Sequence, residues 1–389
     1  MASIAEIVKQ SRILYNAYYY VGNACIKVLR FFLKPNSKLI VFNSFGGRKY
    51  DDSPRAIYLK MIEDPRFSDY SLVWAFKDPN RFKIPKGAVV KIDTFAYYKT
   101  VLRARVWITN TTMTRALSFK GINTFYLNTW HGSAIKRIGS DAVDGKAFVS
   151  KGKNYTDVFL AQGEYDREVF SRVFGCDKDH VILTGLPRND ELIVGNMEKK
   201  RTIIREHLSI PAGKRVILYA PTFREYTRVG SDCVLSLPVN WQKWQSVLSD
   251  SYIVLMRAHP AIVNNQTIPV SDFLKDVSSY PYLNDLMIAS DILISDYSSL
   301  FFDYAVLGKP MFCFAFDYEK YKKERGLYFD IRKELGNENL DTEDKLLSAI
   351  LDMDEEERIS VANSFRNKYV QRCGTASDDV LDLVYNAIQ

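Results

Sequence analysis

Two of the four histidines, His131 and His259, follow short apolar runs and adjoin glycine or proline. A histidine in such a place can take a hydroxyl proton near neutral pH, donate to a phosphate oxygen, or serve as a hydrogen-bonded structural group. Around His131 the neighbours favour chemistry, because Gly132 permits close backbone approach and Lys136 and Arg137 add cations. His180 and His207 lie in polar stretches and carry no such context. Three further segments also follow apolar runs: Ala220-Pro221-Thr222-Phe223-Arg224, Arg257-Ala258-His259-Pro260 and Ser295-Asp296-Tyr297-Ser298-Ser299. Ser298 and Ser299 precede a helical run, 300–307, whose free amides and dipole attract phosphate. Serine at that position is also an ordinary N-cap. The polar groups nearby, Asp296 before the serines and Asp303 one turn later, favour a ligand such as a ribose or an incoming hydroxyl, whereas Tyr304 reads as packing.

Other chemistries lack their residues. There is no glycine-rich Walker loop and no GxGxxG, so ATPase and dinucleotide-oxidoreductase readings lose their main support. The DxD patterns at 177–179 and 352–354 lie in charged stretches and follow no apolar strand. A metal-free phosphate site built from helix amides, Arg and His is expected, with no cofactor. Five scattered cysteines without a CxxC pair argue against a disulfide framework or structural zinc, and fit a reducing compartment.

The elements that position these residues follow from hydrophobic patterning. Apolar runs at 39–42, 72–76, 106–109, 124–127, 158–161 and 181–183 alternate with helical patterns, the signature of a mostly parallel sheet covered by helices. The chain turns polar near 190–200, and a second series follows at 216–220, 253–256, 292–295 and 311–314, with a helical end from about 341. The predicted class is α/β, two Rossmann-like domains facing a cleft, spanning 37–195 and 196–389. In such sheets ligands bind beyond the carboxyl ends of the strands, where all four segments lie.

Residues 1–36 form a separate segment. Ile13, Ala17, Tyr20, Ala24, Val28 and Phe31 share one helical stripe, and Leu14, Tyr18, Val21, Cys25, Leu29 and Phe32 a second. Lys9, Arg12, Lys27, Arg30 and Lys34 flank the first, and Glu6 is the only acid before residue 50. Such a helix either lies in an anionic membrane interface or packs on a domain, and the cations favour the membrane. Asn16, Asn23, Lys27 and Arg30 interrupt the apolar window, so neither a membrane-crossing helix nor a signal peptide is expected.

At 389 residues, 47% hydrophobic, with formal net charge +7, the chain holds two domains and suits an anionic partner. The interleaved aromatic and basic motifs of RNA modules are missing, so no nucleic-acid partner is expected.

In order, TWHGSAIKRIG at 129–139, TGLPRND at 184–190, YAPTFRE at 219–225, RAHP at 257–260, ISDYSSLFFDYAVLGKP at 294–310 and RGLYFD at 325–330 resemble the CDP-glycerol glycerophosphotransferase family of teichoic acid and capsule synthesis. The resemblance implies a GT-B arrangement, an acceptor-side first domain and a second domain holding CDP-glycerol or another CDP-polyol. It implies His131 as the base that activates the acceptor hydroxyl, with His259 as a second catalytic candidate. Arg257, His259, Ser298 and Ser299 are implied on the donor diphosphate, Asp303 on the ribose, and Thr222, Arg224 and Asp296 in the same pocket. Gly132, Lys136 and Arg137 are expected on the acceptor or its phosphate. The implied reaction is displacement at the β-phosphorus with release of CMP, onto a lipid-linked saccharide or polyol-phosphate acceptor at the cytoplasmic membrane face. Ser133 and Ala134 stand where Thr and Pro often follow the family's WHG, and Phe223 replaces a frequent Trp. The chain is shorter than the long polymerases, which favours a primase-like or short-chain transferase. A GT-B glycosyltransferase using a nucleotide sugar is the alternative.

Overall fold

The structure is a computed structural model that describes residues 11–143, 155–222, 224, 228–229, 232–234, 237–258, 262–263 and 271–389. The apolar runs form the central strands of two parallel sheets. Parallel strands covered on both faces are continuously apolar instead of alternating. Leu39, Ile40, Val41 and Phe42 are accordingly all buried.

The chain forms β1 (Asn36–Asn43), β2 (Ser71–Phe76), β3 (Ala88–Lys91), β4 (Ala104–Thr109), β5 (Phe125–Asn128), β6 (Val158–Ala161) and β7 (Val181–Leu183). Then come β8 (Arg215–Tyr219), β9 (Arg228–Val229), β10 (Asp232–Val234), β11 (Tyr252–Met256), β12 (Ile262–Val263), β13 (Leu274–Asp276), β14 (Ile292–Ser295) and β15 (Met311–Cys313). The first sheet runs β3-β2-β1-β4-β5-β6-β7 and the second β13-β11-β8-β14-β15, while β12, β10 and β9 make a small third sheet. Every pair in the two main sheets is parallel. Strand order reverses between β1 and β4 in the first and between β8 and β14 in the second. At those switch points a crevice opens beyond the strand ends.

Sequence patterning missed β3 and β13 because both are short edge strands with little to bury: only Val90 of β3 and Leu274 of β13 are buried. The expected division at 195/196 needs one correction. The last helix, Ala376–Ile388, returns to the first sheet, where Val380, Leu381 and Val384 pack with Ile40, Phe42 and Ile57. Its start is held by Asp190, whose carboxylate accepts from the amides of Gly374 (3.1 Å), Ala376 (3.1 Å) and Ser377 (2.7 Å). A carboxylate on the amides of a helix's first turn does the work of an N-cap. The two halves also pair as backbone: Lys136 bridges Leu327, Arg137 N donates to Gly326 O (3.1 Å), and Tyr328 N donates to Ile135 O (2.9 Å).

The first helix, Arg12–Phe32, docks without the first expected stripe and with only part of the second: Tyr18 donates to Arg115 O (2.9 Å) and Leu29 packs on the cluster that holds Leu117 and Phe119. Tyr15 and Ile26 are buried, Tyr19 bonds to Ser118 Oγ (3.0 Å), and the Asn23 carbonyl accepts from Ser118 N (2.8 Å). Arg30 donates to Phe119 O. A methyl group at Gly22 would meet Leu117 at 2.9 Å, so glycine there lets the helix approach the sheet's covering layer. Ile13, Ala17, Tyr20, Ala24, Val28 and Phe31, the whole first stripe, face outward, Ile13 at 81% exposure and Phe31 at 85%. No helix among the described residues is long and apolar enough to cross a membrane.

Candidate functional site

His131 is built by a tight turn after β5. Trp130 N donates to Asn128 Oδ1 (2.9 Å), Thr129 N donates to Thr109 O (2.8 Å), and Trp130 takes the left-handed φ of +49°. The turn carries the imidazole back over β4, where Nδ1 lies 2.8 Å from Asn110 O. A carbonyl only accepts, so Nδ1 carries the proton and Nε2 keeps its lone pair, the tautomer a general base needs. Trp130 and Phe45 flank the ring, with centroids 4.1 and 5.9 Å away. Burial pulls the His131 pKa below its ordinary value, partly opposed by the Asn110 bond and Asp52, while Arg188 adds to the lowering. The ring is therefore neutral at pH 7.

Across the cleft, the turn after β14 carries Ser298 and Ser299. Ser298 Oγ accepts from Leu300 N (3.2 Å) and caps the short helix Leu300–Ala305, whereas the Ser299 side chain does not cap it. Ser299 instead meets the His131 turn. Gly132 has φ +138°, and a methyl group on it would lie 3.0 Å from Ser299 Oγ and 3.4 Å from Arg188 Nη2. Glycine is required there by both conformation and space.

Other residues expected on the donor also bond to protein groups. Arg224 is enclosed, its side chain 2% exposed, by Asp296 (2.8 Å), by Asp317 (2.8 and 2.9 Å), and by the Tyr297 and Tyr321 rings. Asp296 also accepts from Thr222 N (2.8 Å) and Tyr297 N (2.7 Å). This cluster fixes the two loops at the β8/β14 switch point. Buried charges persist only when paired and hydrogen-bonded, which is what the cluster supplies. Thr222 Oγ1 has no hydrogen-bond partner among the described residues. Arg257 donates to Tyr280 O (2.8 Å) and Val277 O (3.4 Å), and burial lowers its pKa against the opposing pull of Asp51. His259 and Phe223 lie outside the described residues. Lys136 sits over the Tyr321 ring (5.9 Å), next to the Arg224 cluster, and Arg137 is exposed with its stem against Gly326.

Asp303 does not face open space either. Its carboxylate accepts from Arg188 Nη2 (2.9 and 3.0 Å) and Asn189 Nδ2 (2.8 Å), both from the segment after β7, while Arg188 Nη1 donates to Asp52 Oδ2 (2.9 Å). The chain of contacts continues from Asn189 to Gln162 (3.1 Å), from Gln162 to Ser133 Oγ (3.0 Å), and from Ser133 to Asp166 (2.8 Å). Asp52, Asp166 and Gln162 were not singled out from sequence, and Arg188 and Asn189 entered only within the TGLPRND segment, with no role assigned. Arg188 follows the apolar run 181–183, so the rule that drew attention to the other loops applies to it equally.

The sequence pattern of the family described as CDP-glycerol:poly(glycerophosphate) glycerophosphotransferase matches residues 26–386. A teichoic acid glycerol-phosphate transferase of Staphylococcus aureus is 34% identical over 372 residues, covering 90% of this chain and 94% of that protein. A teichoic acid poly(glycerol phosphate) polymerase of Staphylococcus epidermidis is 35% identical over 313 residues, covering 77% of this chain but 43% of the polymerase. A structure of the wall teichoic acid polymerase TagF, a histidine-to-asparagine variant soaked with CDPG, superposes with a TM-score of 0.84 at 28% identity, covering 100% of this chain and 99% of that one.

Asp166, behind the His131 turn, is wholly buried, and its Oδ1 has no partner among the described residues. Desolvation raises its pKa to about 7, against the bonds from Ser133 and Gln162 N. Between its ordinary value near 3.8 and about 7 the folded chain holds a proton that the unfolded chain has released. This group's contribution to stability therefore falls as pH rises through that window. Asp166→Asn keeps the acceptor for Ser133 and removes the buried charge. It should raise unfolding stability at pH 8, by at most about 4 kcal/mol at 1.36 per pKa unit, with the gain fading toward pH 4. Urea titrations at both pH values decide this, and an equal difference at the two would contradict the buried-charge account.

Proposed function

The chain belongs to the CDP-glycerol:poly(glycerophosphate) glycerophosphotransferase family, and on that premise we propose that it transfers glycerol phosphate from CDP-glycerol to a cell-envelope acceptor of the teichoic acid type. The observation that carries this reading is the meeting of His131, neutral and with Nε2 free of its carbonyl partner, with the Ser299 turn of the other half. A hydroxyl of the acceptor, entering from the side of the first sheet, gives its proton to His131 Nε2 and attacks the β-phosphorus of the donor. The new O–P bond forms as the bond to the bridging oxygen breaks, and CMP leaves. Ser298, Ser299 and Arg257 are the groups that meet the donor diphosphate, offsetting charge that builds on the phosphoryl oxygens. Arg224 and Asp296 act indirectly by holding the loops that carry those groups.

The acceptor is a lipid-linked saccharide or polyol phosphate, and the outward stripe of the first helix rests on the anionic cytoplasmic face of the membrane that presents it. The geometry supports this attachment because the helix is fixed to the domain by Tyr15, Asn23 and Ile26 while Ile13, Val28 and Phe31 remain bare. Lys27 and Lys34 are exposed, suited to lipid headgroups.

His131→Ala should lower transfer about 10²- to 10⁴-fold while calorimetric affinity for CDP-glycerol stays within a few-fold of wild type. A folded variant with near-normal CMP release would remove His131 from the mechanism. For the membrane contact, changing Val28, Phe31 and Phe32 to Ser leaves every docking residue in place. This variant should fail to float with anionic vesicles that carry the wild type. Equal flotation of the two proteins would contradict attachment through this face.

A further inference from the structure

We propose that Arg188 is a positioning residue for the transfer, clamping Asp52 of the first half to Asp303 of the second so that Ser299 is held against the His131–Gly132 turn. The inference rests on the reading of His131 as the base. The guanidinium suits the task because its planar fork presents separate N–H groups to separate carboxylates. Nη1 takes Asp52 at 2.9 Å and Nη2 takes both oxygens of Asp303 at 2.9 and 3.0 Å. All three side chains are nearly enclosed, Arg188 at 12% exposure and each aspartate at 7%. Asp52 is held at φ +66°, a conformation uncommon outside glycine, with Oδ1 taken by Ser53 N (2.6 Å), which leaves Oδ2 for Arg188. Asp303 lies in the helix that begins immediately after Ser299, so a grip on its carboxylate is a grip on the serine turn. The same Nη2 would lie 3.4 Å from a methyl group on Gly132, which puts the clamp beside the turn that carries the base.

The clamp also controls the charge that His131 meets. The groups around the ring are Asn110 O from the end of β4, Phe45 from the end of β1, Trp130 from its own turn, Asp52 from the helix Asp52–Glu63, and Arg188 from the segment after β7. Of these only Asp52 and Arg188 are charged, and they act in opposite directions: Asp52 raises the His131 pKa and Arg188 lowers it. Asp303 is bonded to Arg188, and Asp166 to Ser133. Loss of either charge therefore moves the histidine's titration in its own direction, while loss of the clamp alone lowers the rate without moving it.

The test measures kcat/KM against pH for the full chain with CDP-glycerol and a soluble acceptor, alongside calorimetric CDP affinity and thermal melts. Arg188→Gln should move the acid limb to higher pH and Asp52→Asn should move it to lower pH. Arg188→Lys keeps the charge but cannot hold both aspartates. It should leave the limb in place while lowering the plateau at least 10-fold, with CDP affinity changed less than threefold, since misplacement of about 1 Å alone costs on the order of 10²-fold. Limbs that move together or not at all in folded variants overturn the proposal. If Arg188→Gln or Asp52→Asn fails to fold, Arg188→Lys decides, and a plateau within twofold of wild type overturns it. A fully active His131→Ala would instead refute the base reading, whereas an inactive His131→Ala beside a normal Arg188→Lys would refute this proposal alone.

Discussion

One guanidinium between two carboxylates sets the geometry on which the rest of the site depends. Arg188 joins Asp52, 136 residues away, to Asp303, 115 residues away, and thereby joins the two halves of the molecule at the point where their strand ends face each other. Such a bridge is a poor source of net stability, because desolvating the ions offsets much of their attraction. Removing one partner is costly, about 3–5 kcal/mol, since the other charge stays buried and unpaired. The bridge therefore tolerates few alternative arrangements, which suits a site whose two reactive surfaces come from different sheets. The Lys136–Leu327 pairing and the Asp190 cap on the last helix bind the halves at other points, but neither touches the His131 turn as Arg188 does.

From that constraint the chemistry follows in steps. Parallel sheets put loops beyond their strand ends, and reversal of strand order opens the crevice between β1 and β4 and between β8 and β14. In the first sheet, the end of β4 supplies the carbonyl that selects the His131 tautomer. In the second, the paired Arg224, Asp296 and Asp317 tie the loops after β8, β14 and β15 together. His131 Nε2 on one side and Ser298, Ser299 and Arg257 on the other are the combination that proton removal and phosphate recognition require. The docked first helix attaches an apolar surface to the first domain.

Much of this was legible in the chain itself. Continuous apolar runs announced the central strands, and the residues after them marked the His131 and Ser298–Ser299 loops. What escaped notice did so for physical reasons. Strands β3 and β13 sit at sheet edges and bury too little to leave a pattern. Arg224 and Asp296 occupy positions after strands, and their pairing with each other and with Asp317 shows only in three dimensions. Arg188, Asp52 and Asp303 are brought together across more than a hundred residues, which no spacing rule detects. On the first helix, Tyr15 and Ile26 pack while the more regular apolar stripe stays outside, because docking used aromatic and amide contacts instead of the strongest periodicity.

The central claim is that a single closed arrangement of the two halves presents the donor's β-phosphorus to His131. The most direct test is a crystal structure of the His131→Ala variant with intact CDP-glycerol. The account predicts the diphosphate against the Ser298–Ser299 turn, with the β-phosphorus facing the vacated imidazole position and Arg188 still bonded to Asp52 and Asp303. A diphosphate bound elsewhere, or bound there only with the Arg188–Asp303 contact broken and the halves apart, would contradict it.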